Sequence, residues 1–235
     1  MREKNDLAVL IPTYNEAEGI GPTIQEIRDC LHDTPCLVVD RSSDETGLVA
    51  AKFGAKVVRQ ESKGKGRAIV QGIHELNGGA RYIAMTDGDH TYPAEAIKKF
   101  VSVLEQNPDV GMVNGNRFAS ALPSEIQPKG IYLGNKLIAI IHNFLNPQKL
   151  ADPLTGLRVF RAELLKDWNP SSKGFDIEVE MNLYLATKNQ RIEEVPITYR
   201  ARIGRKKLGL RSAFPIIFRI AKIRLRGTIK RRFHL

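Results

Sequence analysis

Five short apolar runs, each followed by a loop and a stretch of helical spacing, constrain this chain more than any other feature. They are "LAVLIPTY" (7–14), "CLVVD" (36–40), "KVVRQ" (56–60), "YIAMTD" (82–87) and "VGMVNGNRF" (110–118). Short apolar runs bounded by turn residues predict buried strands. Between them, Ile20, Ile24, Ile27 and Leu31 recur at helical spacing. "SSDETGLVAAKFGA" places a Ser/Asp cap before a helix that stops at Gly54, "GKGRAIVQGIHEL" is a glycine loop and helix, and "AEAIKKFVSVLEQ" is amphipathic. This alternation predicts an α/β, doubly wound, mostly parallel sheet with helices on both faces. Ligands in such folds gather beyond the carboxyl ends of the strands. The loops to inspect are therefore Pro12–Glu16, Asp40–Asp44, Lys63–Gly66 and Asp87–Asp89.

The second half is less regular. Residues 129–146, "KGIYLGNKLIAIIHNFLN", predict a largely apolar helix whose uncharged stretch is too short to span a bilayer. "DPLTGLRVFRAELL" predicts a turn, a strand and a helix start, "GFDIEVEMNLYLATKN" a helix, and "RIEEVPITY" a last strand. The organisation expected is one catalytic-size domain over 1–211 and a basic amphipathic segment over 212–235. From Pro196 to Leu235 there are thirteen Lys/Arg and no Asp or Glu, which leaves 23 basic against 26 acidic residues before it. All the excess positive charge thus lies at the C-terminal end, and it suits an anionic partner: nucleic acid, an anionic membrane surface or substrate phosphates. Cys30 and Cys36 show no metal-ligand spacing and read as buried thiols in a reducing compartment. "MREKNDLAVLIPTY" is broken by charge and proline, so no signal peptide is expected there.

The loop "MTDGDHTYP" (85–93) holds Asp87 and Asp89 one residue apart, across Gly88, at a strand end. Paired carboxylates there suit a hard divalent cation, Mg²⁺ or Mn²⁺, which takes oxygen ligands and borrows others from phosphates and water. The same residues also make an ordinary turn and helix cap. In "ESKGKGRA", glycine amides and Lys65 suit a diphosphate, although the spacing is not that of a P-loop and a plain surface loop fits as well. In "PTYNEAE", Tyr14 offers a stacking surface and Glu16 an acceptor, or the stretch is simply a helix start. Asp40 can accept from a nucleobase or ribose, or cap the following helix.

Taken together, "VLIPTYNEAEGI", "LVVDRSSDET", "KGKGRA", "MTDGDHTYP", "GNRF", "DPLTGLRVF", "GFDIEVEMN" and "EVPITYRARIGRKKL" stand in the order found in family 2 glycosyltransferases. They most resemble the dolichyl-phosphate (polyprenyl-phosphate) hexosyltransferase branch, over about residues 6–210. The resemblance implies a GT-A fold, a nucleotide-sugar donor, Mg²⁺ or Mn²⁺, and inverting transfer to a polyprenyl (dolichyl) phosphate. It also implies that Pro12, Tyr14, Glu16, Asp40, Lys65 and Gly88 frame the nucleotide sugar, and that Asp87 and Asp89 hold the metal and diphosphate. Arg117, Lys129, Arg202 and Lys207 would meet the acceptor phosphate, with Asp89, Arg117 and Arg202 carrying catalysis. Two departures stand out: the "VVDRSSDET" turn is about one residue shorter than the family's, with Arg41 where glycine is common, and Lys206 replaces the usual serine of the late motif.

A lipid monophosphate is already ionised near neutral pH and needs no general base, whereas a sugar hydroxyl does. For the rival hydroxyl-acceptor enzyme, Asp152 or Asp176 would be the base. A nucleic-acid-binding module using the basic tail leaves the paired aspartates unexplained and lacks an aromatic stacking platform, so no nucleic-acid partner is expected. Residues 213–235 alternate aliphatics with cations, as an interfacial helix does, and the 131–145 segment offers a second apolar contact. The expected location is the cytoplasmic face of a membrane, held peripherally without a transmembrane helix.

Overall fold

The computed structural model describes residues 6–119, 126, 128–174 and 176–204. The basic segment 212–235 and Lys207 lie outside the described residues. Seven strands form one sheet: β1 (Leu7–Thr13), β2 (Cys36–Asp40), β3 (Lys56–Arg59), β4 (Tyr82–Met85), β5 (Val110–Asn116), β6 (Arg158–Arg161) and β7 (Arg191–Pro196). Their spatial order is β3-β2-β1-β4-β6-β5-β7. The helices are α1 (Ala17–Leu31), α2 (Thr46–Lys52), α3 (Lys65–Leu76), α4 (Glu95–Gln106), α5 (Lys129–Leu145), α6 (Ala162–Leu165) and α7 (Ile177–Thr187).

Alternate strand residues feed two cores. Val9, Ile11, Val38 and Val113 pack with Ile20, Ile24, Ile97 and Phe100 of α1 and α4 on one face. Leu10, Leu37, Val39 and Met85 pack with Ile69, Ile73, Met181 and Leu185 of α3 and α7 on the other. This is the expected three-layer α/β arrangement, produced by the two-residue strand period. Gly72 of α3 lies so close to β1 that a Cβ there would overlap the Leu10 side chain.

One strand departs from the simple parallel alternation. β6 runs antiparallel to both β4 and β5 and separates them. It arrives after the long excursion through α5, so no tight right-handed crossover dictates its direction. Because β6 is reversed, its first residue, Arg158, pairs with Met85 at the carboxyl end of β4, while Arg161 pairs with Tyr82 at the opposite end. The N-cap of α2 is Glu45, which makes no side-chain cap bond, in place of the expected Ser/Asp cap; Asp44, one residue earlier, accepts the Thr46 N–H at 3.0 Å, and Asp40 does not cap the helix.

α5 is held to the body along its C-terminal half. Ile138, Ala139 and His142 are buried, whereas Leu133, Leu137, Ile140 and Phe144 are exposed along one stripe. His142 has Nδ1 3.0 Å from Asn143 Oδ1 and Nε2 3.1 Å from Asn146 Nδ2, so its ring serves as a neutral donor and acceptor within a polar layer. Among the described residues, no helix is long and apolar enough to cross a membrane.

Burial lowers the His142 pKa from the ordinary 6.5 to about 4. The folded state therefore binds fewer protons than the unfolded chain between those values. The stabilisation is complete above pH 6.5 and is lost as the pH falls toward 4. Urea unfolding of the wild type at pH 4.5 rather than 7 should show a loss of about 2–3 kcal/mol that His142→Gln does not share. Equal acid losses in the two proteins would show that His142 is not the group responsible.

Candidate functional site

The carboxyl ends of β1, β2 and β4 converge on the loop 86–91. Gly88 is required there by packing: a Cβ would lie 2.9 Å from Thr13 Cγ2 and 3.2 Å from Ile20 Cδ1. Gly156, in the turn before β6, is required on the other side, because a Cβ there would collide with the Asp87 carboxylate. The two glycines let the loop settle between α1 and the 152–156 turn.

Asp87 and Asp89 are each met by a cation from a distant part of the chain. Lys65 Nζ lies 2.8 Å from Asp87 Oδ1 and 2.8 Å from Glu178 Oε1, bridging β4 to α7. Burial raises the Asp87 pKa, but the Lys65 ammonium outweighs it and holds the carboxyl below its usual range. Asp89 is pushed upward by burial and by the charge of Asp87. Its Oδ1 accepts from the Thr91 hydroxyl at 2.6 Å and its Oδ2 from Arg202 Nη1 at 2.6 Å. The other terminal nitrogen of Arg202 donates to Glu16.

Arg202 reaches the loop because the chain after β7 runs back alongside it. Arg200 N–H donates to Thr91 O and Ile203 N–H to Asp89 O, each at 3.0 Å. Arg200 also forks onto Glu26 of α1 at 2.6 and 2.9 Å, and His90 Nε2 lies 2.9 Å from the same carboxylate. Sequence reasoning missed this outer clamp. The late motif that carries Arg202 was its available signal.

Arg117, immediately after β5, makes a bidentate pair with Asp152 at 2.7 Å for both bonds, and its backbone N–H adds a third at 3.1 Å. Asp152 is completely buried. The Ala151 and Asp152 N–H groups donate to Glu194 of β7 at 2.6 and 2.8 Å, fixing the turn. Arg117 lies 5.3 Å from the Phe118 ring, which stacks edge-on against Tyr132 of α5 at 5.6 Å. Lys136 sits 5.2 Å over Phe118.

The arrangement thus brings together Glu16, Lys65, Gly88, Asp87, Asp89 and Arg202, with Pro12 on adjoining β1. Asp40, at the end of β2, accepts from Thr13 Oγ1 at 2.8 Å and from Ser42 Oγ at 2.5 Å. Tyr14 is half exposed. Lys65 stands in the first turn of α3, directly after the loop that ends at Gly64, the helix N-cap with φ 122°. The Gly66 amide is spent on Lys173 O at 3.2 Å and is not offered to a ligand. Lys129 is exposed at the start of α5, and Lys136, seven residues on, lies over both Phe118 and Tyr132. The partners Glu178, in "GFDIEVEMN", and Asp152, in "DPLTGLRVF", have no spacing rule that connects them to Lys65 and Arg117.

Asp87 and Asp89 present hard oxygen donors suited to Mg²⁺ or Mn²⁺. Among the described residues no group of three His, Cys, Asp or Glu side chains stands ready to hold a metal. Further ligands would have to come from a substrate and water, which is the habit of Mg²⁺.

The sequence model for Glycosyl transferase family 2 matches residues 8–168. A dolichyl-phosphate hexose transferase of Haloferax volcanii is 35% identical over 208 residues, covering 87% of this chain and 87% of that protein. The low-salt glycan biosynthesis hexosyltransferase Agl6 of the same organism is 32% identical, covering 86% of this chain but only 49% of its own length. Among solved structures, glucosyl-3-phosphoglycerate synthase from Mycobacterium tuberculosis, in complex with Mn²⁺, UDP and glucosyl-3-phosphoglycerate, superposes with a TM-score of 0.70. That match has 20% identity and covers 92% of this chain and 77% of that one; the likeness is one of fold.

Removing one member of a buried ion pair leaves the other charge uncompensated. Asp152→Asn should therefore lower unfolding free energy by about 3 kcal/mol in denaturant titrations at pH 7. A change under about 0.5 kcal/mol would mean that solvent screens the Arg117 guanidinium.

Proposed function

The chain belongs to glycosyl transferase family 2, and on that premise we propose that it transfers a hexosyl group from a nucleotide sugar to dolichyl or polyprenyl phosphate at a membrane surface. The observation that carries this reading is the continuity between a charged site and an apolar face. Arg117, forked on Asp152, adjoins Phe118, Phe118 stacks on Tyr132, and Tyr132 opens the exposed Leu133–Leu137–Ile140–Phe144 stripe of α5. A lipid phosphate has this chemistry: a dianionic head that suits an arginine, on a long apolar chain. The likeness to the Haloferax dolichyl-phosphate hexose transferase supports it.

Pro12, Tyr14, Glu16, Asp40 and Gly88 frame the nucleotide in this reading, with Lys65 and Arg202 bringing positive charge toward the diphosphate. Asp87 and Asp89 would hold Mg²⁺ or Mn²⁺, which would neutralise charge on the departing nucleoside diphosphate. Arg117 orients the acceptor phosphate, whose ionised oxygen attacks the anomeric carbon from the face opposite the leaving group, giving inversion. The phosphate needs no base. Asp152, the base candidate for a hydroxyl acceptor, is completely buried and committed to two guanidinium N–H groups. Lys129 and Lys207 would add charge around the acceptor. The free thiols of Cys30 and Cys36 fit the reducing, cytoplasmic face of the membrane.

Incubation with membranes, Mg²⁺ or Mn²⁺, and radiolabelled GDP-mannose or UDP-hexoses should move label into an acid-labile, chloroform-soluble lipid. Asp89→Ala should lower that rate by at least about a hundredfold. Arg117→Ala should raise the acceptor KM more than the donor KM; the reverse would assign it to the donor. A wild-type chain that labels a water-soluble glycan instead would favour the hydroxyl-acceptor reading.

The α5 stripe has its own test. Leu137→Glu with Ile140→Glu should reduce co-sedimentation with anionic phospholipid vesicles by about tenfold, since each change places a charge where an aliphatic side chain meets the acyl boundary. Unchanged sedimentation would remove α5 from the membrane contact.

A further inference from the structure

We propose that Arg158, which lies outside the residues assigned above, is a positioning residue that sets both Lys65 and Arg117 for their phosphates; the proposal rests on the functional reading just given. Arg158 is completely buried, and among the described residues no carboxylate oxygen pairs with it directly. Its guanidinium instead donates to Thr155 O at 2.9 Å, Pro153 O at 2.8 Å, Glu178 O at 3.3 Å and Asn182 Oδ1 at 2.6 Å. Burying a guanidinium whose hydrogen bonds go to neutral acceptors is costly, and burial lowers its pKa, offset only in part by the charges of Glu178 and Asp152.

The four acceptors belong to two separate segments of the chain. Pro153 and Thr155 lie in the turn that begins with Asp152, the partner of Arg117. Glu178 and Asn182 lie on α7, and the Glu178 carboxylate is the partner of Lys65. Asn182 Nδ2 also donates to Pro153 O at 3.0 Å, so the same carbonyl takes bonds from both groups. One planar fork therefore fixes the distance between the turn that aims Arg117 and the helix that aims Lys65. A lysine at this position would keep the charge but lose the fork.

The reversed direction of β6 supplies an internal comparison. Arg161, three residues on, is also an arginine donating to backbone carbonyls, those of Val110, Leu104 and Asn107, but at the far end of the sheet. Arg161 braces the fold away from the cleft, and Arg158 braces it beneath the site.

The test compares Arg158→Lys with Arg161→Lys in the full chain. Both should lower the melting temperature. Only Arg158→Lys should raise the acceptor KM and weaken binding of Mg²⁺-pyrophosphate, measured by calorimetry, each by about tenfold or more, because small misplacement of binding groups is expensive. Wild-type values for both quantities in Arg158→Lys, alongside a melting loss like that of Arg161→Lys, would reduce Arg158 to a structural brace and overturn the proposal. Should Arg158→Lys fail to fold, Asn182→Ala removes one acceptor while leaving the arginine. It should shift both quantities in the same direction, and no shift there would also overturn the proposal. Absence of sugar transfer by the wild type would sink the functional reading alone, while the pyrophosphate comparison would still decide the role of Arg158.

Discussion

Mutual repulsion among carboxylates is the constraint on which the rest of this structure depends. Glu16, Asp87, Asp89, Asp152 and Glu178 converge beyond one edge of a sheet, several of them out of water. Like charges at short range in low dielectric cannot all stay ionised unless cations meet them. Lys65 serves Asp87 and Glu178, Arg202 serves Asp89 and Glu16, and Arg117 serves Asp152. Each pairing joins segments far apart in the chain, so neutralising the cleft also closes the fold around it.

The sheet makes that closure possible. Parallel strands β1, β2 and β4 deliver their loops to one end, as a doubly wound sheet must. The reversed β6 then brings the beginning of a strand, Arg158 and the turn before it, to that same end. A parallel strand in this place would have presented its last residues there. The 152–156 turn would then lie at the far end, and Arg117 would lack its partner.

Much of this was legible in the sequence. The apolar runs marked β1 to β5, because their burial and length are local properties. The Asp87–Gly88–Asp89 loop was readable as a strand end with paired carboxylates, and the ordered motifs led to the family. Partnership was not legible. Lys65 and Glu178 are 113 positions apart, and no periodicity relates a first-turn lysine of α3 to a buried glutamate of α7. The direction of β6 was hidden for a similar reason: "RVF" reads the same as a parallel or an antiparallel strand, and only pairing with β4 and β5 decides it. Nor does the sequence show that Lys136, seven residues after Lys129, lies over Phe118.

The bidentate pair of Arg117 and Asp152 also bears on how such a sequence can change over generations. The two residues are 35 positions apart and must mutate separately, yet losing either one strands a charge in the interior. Neutral drift at one position is therefore blocked unless the other has already changed or the stability lost is tolerated. Glu194 extends the dependence, since it holds the backbone on which Asp152 sits. Descendants of this chain are thus expected to keep the set intact or to exchange its members together.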